Sequence, residues 1–69
     1  MDAVKIGKKL RELRGIRTRT GVAKETGLGY SAISNYENGQ RVPSDDAKIV
    51  LADYYGKTVQ ELFYTEENE

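Results

Sequence analysis

The stretch TRTGVAKETGLGYSAISNYEN, residues 18–38, decides the fold of this 69-residue chain. Thr18 is a residue type that caps helix N-termini, and Val22–Ala23 give the following helix an inward face. Gly27 suits the left-handed backbone conformation that ends a helix. A second helical pattern then runs from Tyr30 to Asn38. The stretch therefore predicts two short helices joined by a tight turn.

The sequence on either side of this stretch predicts three further helices. Residues 2–14 carry apolar residues at helical spacing, with an aspartate as N-cap. Ser44 caps a helix that Gly56 closes, and residues 58–61 form a capping box that opens the last helix. No segment has strand alternation. We therefore predict an all-α fold, a compact five-helix domain over residues 1–64 with a polar tail at 65–69.

The composition excludes several classes of protein. The chain has no cysteine and no histidine, which excludes a disulfide scaffold and a Cys/His zinc site. Its longest apolar run is four residues, Ile49–Ala52, so we predict neither a signal peptide nor a membrane span, and expect a cytoplasmic protein. Because phosphate loops and paired carboxylates in apolar surroundings are also missing, we predict no enzyme and no cofactor.

The charges are divided unevenly along the chain, although the formal net charge is zero. Residues 1–24 contain eight basic and two acidic residues, whereas residues 25–69 contain three basic and nine acidic residues. This polarity is typical of a protein that presents one basic face to a polyanion. A charge mixture that only keeps the chain in solution is the alternative interpretation.

A longer pattern points to a known family. Two helices joined by a tight glycine-containing turn form a helix-turn-helix motif, whose second helix enters the DNA major groove. The pattern AxxxGLxxxxISxYENGxRxP over residues 23–43 resembles the Cro/repressor-type (Xre-like) helix-turn-helix family, and the resemblance extends from residue 4 to residue 64. It implies a lambda-repressor-like fold and a regulator of transcription that binds double-stranded DNA. Arg19 stands where this family commonly has glutamine, and Gly29 replaces its usual Ser/Thr cap.

The third helix offers one side for reading bases. Its inward side is predicted to contain Ile33, Tyr36 and Glu37. The predicted base-reading residues lie on the opposite side: Tyr30, Ser31, Ser34 and Asn35. Asparagine is a residue type that pairs with adenine through two hydrogen bonds. An ordinary solvated helix face is the alternative for this side.

Phosphate contacts are predicted around the rim of that face. The N-terminus of the second helix offers unpaired N–H groups, and the loop after the third helix lies beside the groove. The predicted phosphate-binding residues are Arg17, Thr18, Arg19, Asn38, Gln40 and Arg41. The family resemblance also implies a largely buried structural ion pair between Arg14 and Glu37, which ties the first helix to the third.

The fourth helix predicts a second copy of the chain as a partner. Seven of the nine residues from 47 to 55 are apolar, so this helix needs a second surface to cover it. The resemblance implies dimerisation through the last helices, which places two recognition helices about 34 Å apart on an inverted repeat. The predicted interface residues are Tyr54, Val59, Phe63 and Tyr64. Packing in the protein's own core is the other role open to these residues.

The sequence leaves the sign of regulation open. We predict a bacterial repressor that excludes polymerase from a promoter, but an activator or a controller protein would use the same domain. An antitoxin-like module of the same fold would instead bind a toxin protein. An antirepressor or a protease is a further partner that would relieve repression.

Overall fold

The computed structural model describes residues 1–64. It contains four α-helices and a C-terminal π-helical segment: α1 (Ala3–Arg14), α2 (Arg19–Thr26), α3 (Tyr30–Glu37), α4 (Asp45–Tyr54) and the π-helical segment (Gln60–Tyr64). The described residues form five helical elements and no strand, which confirms the all-α prediction. The predicted polar tail at 65–69 lies outside the described residues. None of the helices in residues 1–64 is long and apolar enough to cross a membrane.

Side-chain caps begin three of the helices where the sequence predicted. Asp2 Oδ1 accepts hydrogen bonds from the backbone N–H groups of Val4 at 3.0 Å and Lys5 at 3.2 Å. Thr18 Oγ1 caps α2 and Ser44 Oγ caps α4, at 2.9 Å and 3.2 Å from the backbone nitrogens that they accept from. These bonds satisfy N–H groups that have no partner within the helix, so local chemistry determines where each helix begins.

The last helical element differs from an ordinary α-helix. Its predicted capping box forms in both directions, because Glu61 N donates to Thr58 Oγ1 at 3.0 Å and Thr58 N donates to Glu61 Oε1 at 2.9 Å. Beyond the box, however, the chain takes a π-helical course. A π-helical turn is wider than an α-helical one, which reduces the angle between consecutive side chains. The consecutive residues Leu62 and Phe63 are both buried.

The core draws on all five elements. Its buried hydrophobic residues are Ile6, Leu10, Val22, Ala23, Ile33, Tyr36, Ala47, Leu51, Ala52, Leu62 and Phe63. The third helix, α3, packs against both α1 and α2, so these two helices cover its inner side. This packing holds α3 in a fixed orientation, which a helix of eight residues does not achieve alone.

The turn between α2 and α3 explains why the chain has glycine at position 29. Gly27 ends α2 in the left-handed conformation, with a φ of 76°, as predicted. Gly29, the residue before α3, has a φ of 85°, a conformation that residues with a Cβ rarely adopt. A serine or threonine at this position would strain the turn. The consequence is that α3 begins without a side-chain cap.

Candidate nucleic-acid interface

The third helix has one buried and one accessible side. Ile33, Tyr36 and Glu37 are buried, which confirms the predicted inward side. On the opposite side, Tyr30 is 53% exposed, Ser31 is exposed, and Ser34 and Asn35 are half-buried. The structure therefore brings all four predicted base-reading residues to one accessible side of α3.

The carboxylate of Glu37 binds two arginines rather than one. Arg14 Nε donates to Oε2 at 2.8 Å, and Arg19 Nε donates to Oε1 at 3.0 Å. The Glu37 side chain is only 2% exposed, so its charge is removed from water and balanced by both guanidinium groups. The hydrogen bond to Glu37 raises the pKa of Arg14, against the opposing effect of burial. This three-residue ion cluster links the end of α1 and the start of α2 to α3.

The Arg19 side chain is half-buried, and its guanidinium group bonds within the chain instead of projecting into solvent. Besides its bond to Glu37, it donates from Nη1 to Ser34 Oγ at 3.2 Å and from Nη2 to Asn38 Oδ1 at 3.2 Å. Three of its five N–H groups are thus used within the chain. From the sequence, Arg19 was predicted only to bind phosphate. The signal for its structural role was the arginine itself, since glutamine cannot bind the same three partners.

A third arginine, Arg11, also bonds at the end of α3, and the sequence had not indicated this contact. Arg11 Nη2 donates to Asn38 Oδ1 at 3.3 Å, which joins the exposed side of α1 to the end of α3. Arg11 lies three positions before Arg14, so the two project from neighbouring positions on α1. That spacing is the signal that could have predicted it.

Arg17 packs against the end of α4. Its guanidinium carbon lies 5.6 Å from the ring centre of Tyr54 and 5.9 Å from that of Tyr55. Its Nη1 also donates to the backbone oxygen of Leu13 at 3.3 Å. Arg17 was predicted to bind phosphate; its side chain is exposed, and its guanidinium also joins the α1–α2 link to the two aromatic rings.

The loop after α3 is anchored to the helix through its backbone. The N–H groups of Gln40 and Arg41 both donate to the carbonyl oxygen of Asn35, at 2.9 Å and 3.3 Å. The side chains of both loop residues are exposed. Thr18 is exposed too, but its hydroxyl oxygen is already used to cap α2. The predicted phosphate-binding residues therefore divide into two groups. Some have side chains that bond to other residues of the chain, and others, such as Arg41, have side chains that extend into solvent.

A family model described as helix-turn-helix matches residues 8–62 of the chain. The chain belongs to the helix-turn-helix family. No curated protein and no solved structure matches it. The matched range contains α2, the glycine turn and α3, the elements whose geometry is described above. Membership of this Xre/Cro-like family makes it a DNA-binding regulator of transcription whose ligand is double-stranded DNA.

In this helix-turn-helix protein, the residues predicted to form a dimer interface are largely packed or hydrogen-bonded within their own chain. Phe63 is only 5% exposed, because its ring fills the core, so it offers little surface to a partner. Val59 packs against that core, and the Tyr54 hydroxyl donates a short hydrogen bond to Glu25. Tyr64 is 44% exposed, although its hydroxyl accepts a hydrogen bond from Lys48 Nζ at 2.9 Å.

The apolar surface left on α4 is centred on a residue that the sequence analysis did not single out. Ile49 is 59% exposed and the neighbouring Val50 is half-buried. The core takes Ala47, Leu51 and Ala52 from the opposite side of the same helix. The fourth helix thus has apolar residues on two sides. The core of the same chain covers one side and leaves the other exposed.

Proposed function

We propose that this helix-turn-helix protein is a sequence-specific transcriptional repressor that binds an inverted-repeat operator as a homodimer in the bacterial cytoplasm. The observation that carries the proposal is the state of Asn35. Its side-chain amide lies on the accessible side of α3 and makes no hydrogen bond to another residue in the range 1–64, while its backbone oxygen anchors the following loop. The amide is therefore available for a base.

Base reading by Asn35 follows from the chemistry of its amide. One N–H and one carbonyl oxygen match the N7 acceptor and N6 donor of adenine, and a pair of this kind contributes about 1–3 kcal/mol of discrimination. The Glu37 ion cluster supports this role, because it fixes the rotation of α3 from the buried side. Tyr30 and Ser31, near the start of the helix, provide further exposed contacts.

Contacts to the DNA backbone come from the exposed rim. Arg41 and Gln40 extend from a loop whose backbone is held against Asn35, so their position relative to the recognition helix is set. A rim of this kind determines how the protein sits on the duplex without reading sequence. Repression then follows when the bound protein occludes a promoter, and the same binding beside a promoter produces activation.

A second copy of the chain is the partner that best suits the apolar face of α4. The proposed dimer surface contains Ile49, Val50 and Tyr64, and it replaces the Phe63-centred interface that the sequence predicted. A twofold dimer places two α3 helices on one side of the duplex at a spacing of about 34 Å, one turn of DNA. Such a dimer recognises an inverted repeat.

The proposal is tested by selecting binding sites from random duplexes and measuring affinity across a salt series. We expect Asn35→Ala to lose about 1–3 kcal/mol at the selected site and to relax preference at one base pair, with non-specific binding nearly unchanged. Arg41→Ala should weaken binding to every sequence and flatten the log–log salt dependence by about 0.9 per half-site. Lys57→Ala, an exposed lysine in the acidic half of the chain, is the control.

Three results would count against this function. If Asn35→Ala behaves like Arg41→Ala, the accessible side of α3 does not read bases. If the wild-type chain selects a site without twofold symmetry, the dimeric arrangement is wrong. If neither variant changes affinity for any duplex, the partner is a protein, and the antitoxin-like alternative becomes the better interpretation.

A further inference from the structure

Four side chains at the C-terminal half of α3 form one connected hydrogen-bond cluster. The α3 cluster consists of Arg11, Arg19, Ser34 and Asn38. Asn38 Oδ1 accepts from Arg11 Nη2 at 3.3 Å and from Arg19 Nη2 at 3.2 Å. Ser34 Oγ accepts from Arg19 Nη1 at 3.2 Å and, through a longer contact of 3.5 Å, from Asn38 Nδ2. Arg19 is the member that contacts both acceptors.

The two oxygens of the cluster have no acceptor capacity left. An amide oxygen and a hydroxyl oxygen each have two lone pairs, and both oxygens here accept two hydrogen bonds. What remains are donors: the hydroxyl hydrogen of Ser34, the second amide hydrogen of Asn38 and the unused N–H groups of the two arginines. The Ser34 hydroxyl makes no hydrogen bond as a donor to another residue in the range 1–64. Every hydrogen-bonding group that the side chains of the cluster can still offer to a ligand is thus a donor.

We propose that the α3 cluster is a donor-only subsite of the DNA-binding surface. It binds a group that presents acceptors, either a base edge through purine N7, guanine O6 or thymine O4, or a phosphate oxygen, and it rejects the amino group of cytosine. The inference rests on the proposed DNA-binding function. A free serine accepts or donates and so reads either kind of base edge. Arg19 removes that choice by occupying the serine oxygen.

Arg19 is therefore a positioning residue for sequence reading. Its own orientation is fixed by the buried carboxylate of Glu37, at 3.0 Å from its Nε. Lysine cannot replace it, because an ammonium is a single point charge, whereas the planar guanidinium reaches three acceptors at once. Asn35, one residue from Ser34, lies outside the cluster and keeps both a donor and an acceptor. Neighbouring positions of α3 thus differ in the base edges that they accept.

The test compares binding sites selected from random duplexes by four proteins: the wild type, Ser34→Ala, Arg19→Lys and Arg17→Lys. Arg17 is the matched control, since it lies two positions before Arg19 in the α1–α2 link and its side chain makes no contact with the cluster. If the source of the acceptor is a base, the preference against cytosine at one position should disappear in Ser34→Ala. At that position Arg19→Lys should gain binding to cytosine by about tenfold relative to wild type, whereas Arg17→Lys should not.

Two modified duplexes distinguish the sources of the acceptor. When the acceptor is a base, an analogue that lacks the selected acceptor at the position that Ser34 governs, such as a 7-deazapurine for N7 or 2-aminopurine for O6, should weaken binding by the wild type and leave binding by Ser34→Ala unchanged. When the acceptor is a phosphate, a neutral methylphosphonate at the nearest phosphate should weaken binding by the wild type and leave binding by Ser34→Ala unchanged. The Ser34→Ala change should then weaken binding to all sequences equally. Both tests use Ser34→Ala, which leaves the Glu37 ion cluster intact, so they decide the proposal even if Arg19→Lys folds poorly.

Several results would overturn the inference. The first is that the wild type selects the amino group of cytosine at the position governed by Ser34. The second is that Arg19→Lys and Arg17→Lys have identical base preferences although the acceptor is a base. The third is that Ser34→Ala changes neither the site preference nor the affinity. In the last case a selected site that still depends on Asn35 shows that only this inference has failed. Absence of any selected site for the wild type shows that the proposed function has failed with it.

Discussion

The backbone of Gly7 in α1 lies directly against the carbonyl oxygen of Glu37 at the end of α3. A Cβ added to Gly7 would stand 2.5 Å from the oxygen of Glu37 and 2.7 Å from that of Tyr36, distances that real Cβ atoms essentially never show. Glu37 is therefore held in two ways, by arginines at its carboxylate and by α1 at its backbone. This double attachment determines how the accessible side of α3 is oriented.

The close approach predicts that Gly7→Ala is strongly destabilising. The extra methyl group meets backbone rather than a flexible side chain, so α1 and α3 must separate, and we expect a loss of about 3 kcal/mol in the free energy of unfolding. Urea denaturation measures this loss. Gly21→Ala is the matched control, because it is also within a helix but meets only the Thr18 hydroxyl at 3.1 Å, and it should change stability by no more than about 1 kcal/mol. A stable Gly7→Ala protein would mean that the two helices are not in contact.

The ion cluster predicts an unusual pattern of coupling. Arg14→Met or Arg19→Met alone leaves Glu37 with one guanidinium to balance its charge, so each should cost about 1 kcal/mol. The double variant leaves a buried carboxylate with no partner and should cost more than the sum of the two, since such uncompensated charges cost about 3–5 kcal/mol. Adding Glu37→Met to the double variant should recover part of the loss.

Chemical denaturation of the single, double and triple variants gives the coupling energy directly. Arg41→Met, which removes an exposed arginine, is the control and should be nearly neutral. Simple additivity of Arg14→Met and Arg19→Met would show that the two arginines do not share the carboxylate in solution.

The apolar face of α4 predicts an effect of Ile49→Asp on assembly. A charge in the middle of the proposed dimer surface should shift the sedimentation coefficient at micromolar concentration toward the monomer, with a native circular dichroism spectrum, because Ile49 is mostly exposed within one chain. Ile16→Asp makes the same chemical change at a fully exposed isoleucine in the α1–α2 link, and it should leave the dimer intact. Equal effects of the two changes, or a wild type that is monomeric, would contradict the proposed surface.

Tyr55 predicts a loss of stability at high pH. Burial, together with the charge of Glu37, raises the pKa of Tyr55 to about 12, above the ordinary tyrosine value of about 10. The unfolded chain therefore loses the phenol proton first as the pH rises, so the stability present below about pH 10 declines between about pH 10 and 12. We expect this group to contribute about 1–2 kcal/mol of the decline, after allowance for solvent screening of a half-buried ring.

Urea denaturation across that pH range compares the wild type with Tyr55→Phe, whose stability should fall less steeply. Tyr30→Phe removes an exposed hydroxyl and is the control. If all three proteins show the same slope against pH, the Tyr55 ring is not shielded from water in solution.

Sequence reasoning succeeded where the deciding interactions are local. Asp2, Thr18 and Ser44 each accept a hydrogen bond from a backbone N–H two or three positions along the chain. Gly27 ends α2 because of its own backbone conformation. The buried side of α3 follows from helical periodicity, which also depends only on neighbours in sequence. These features require no knowledge of how the helices pack, so the sequence by itself determined the helical elements and the helix-turn-helix motif.

Tertiary structure alone decided which partner each long side chain has. Arg19 and Glu37 are 18 positions apart, and nothing in the sequence near Arg19 indicates that a buried carboxylate will lie within its reach. Arg17 reaches the rings of Tyr54 and Tyr55 across about twice that separation. Phe63, within the π-helical segment, is buried in the core and offers little surface to a dimer. Long flexible side chains can reach many partners, and burial of charge and apolar surface selects among them only when the helices have packed.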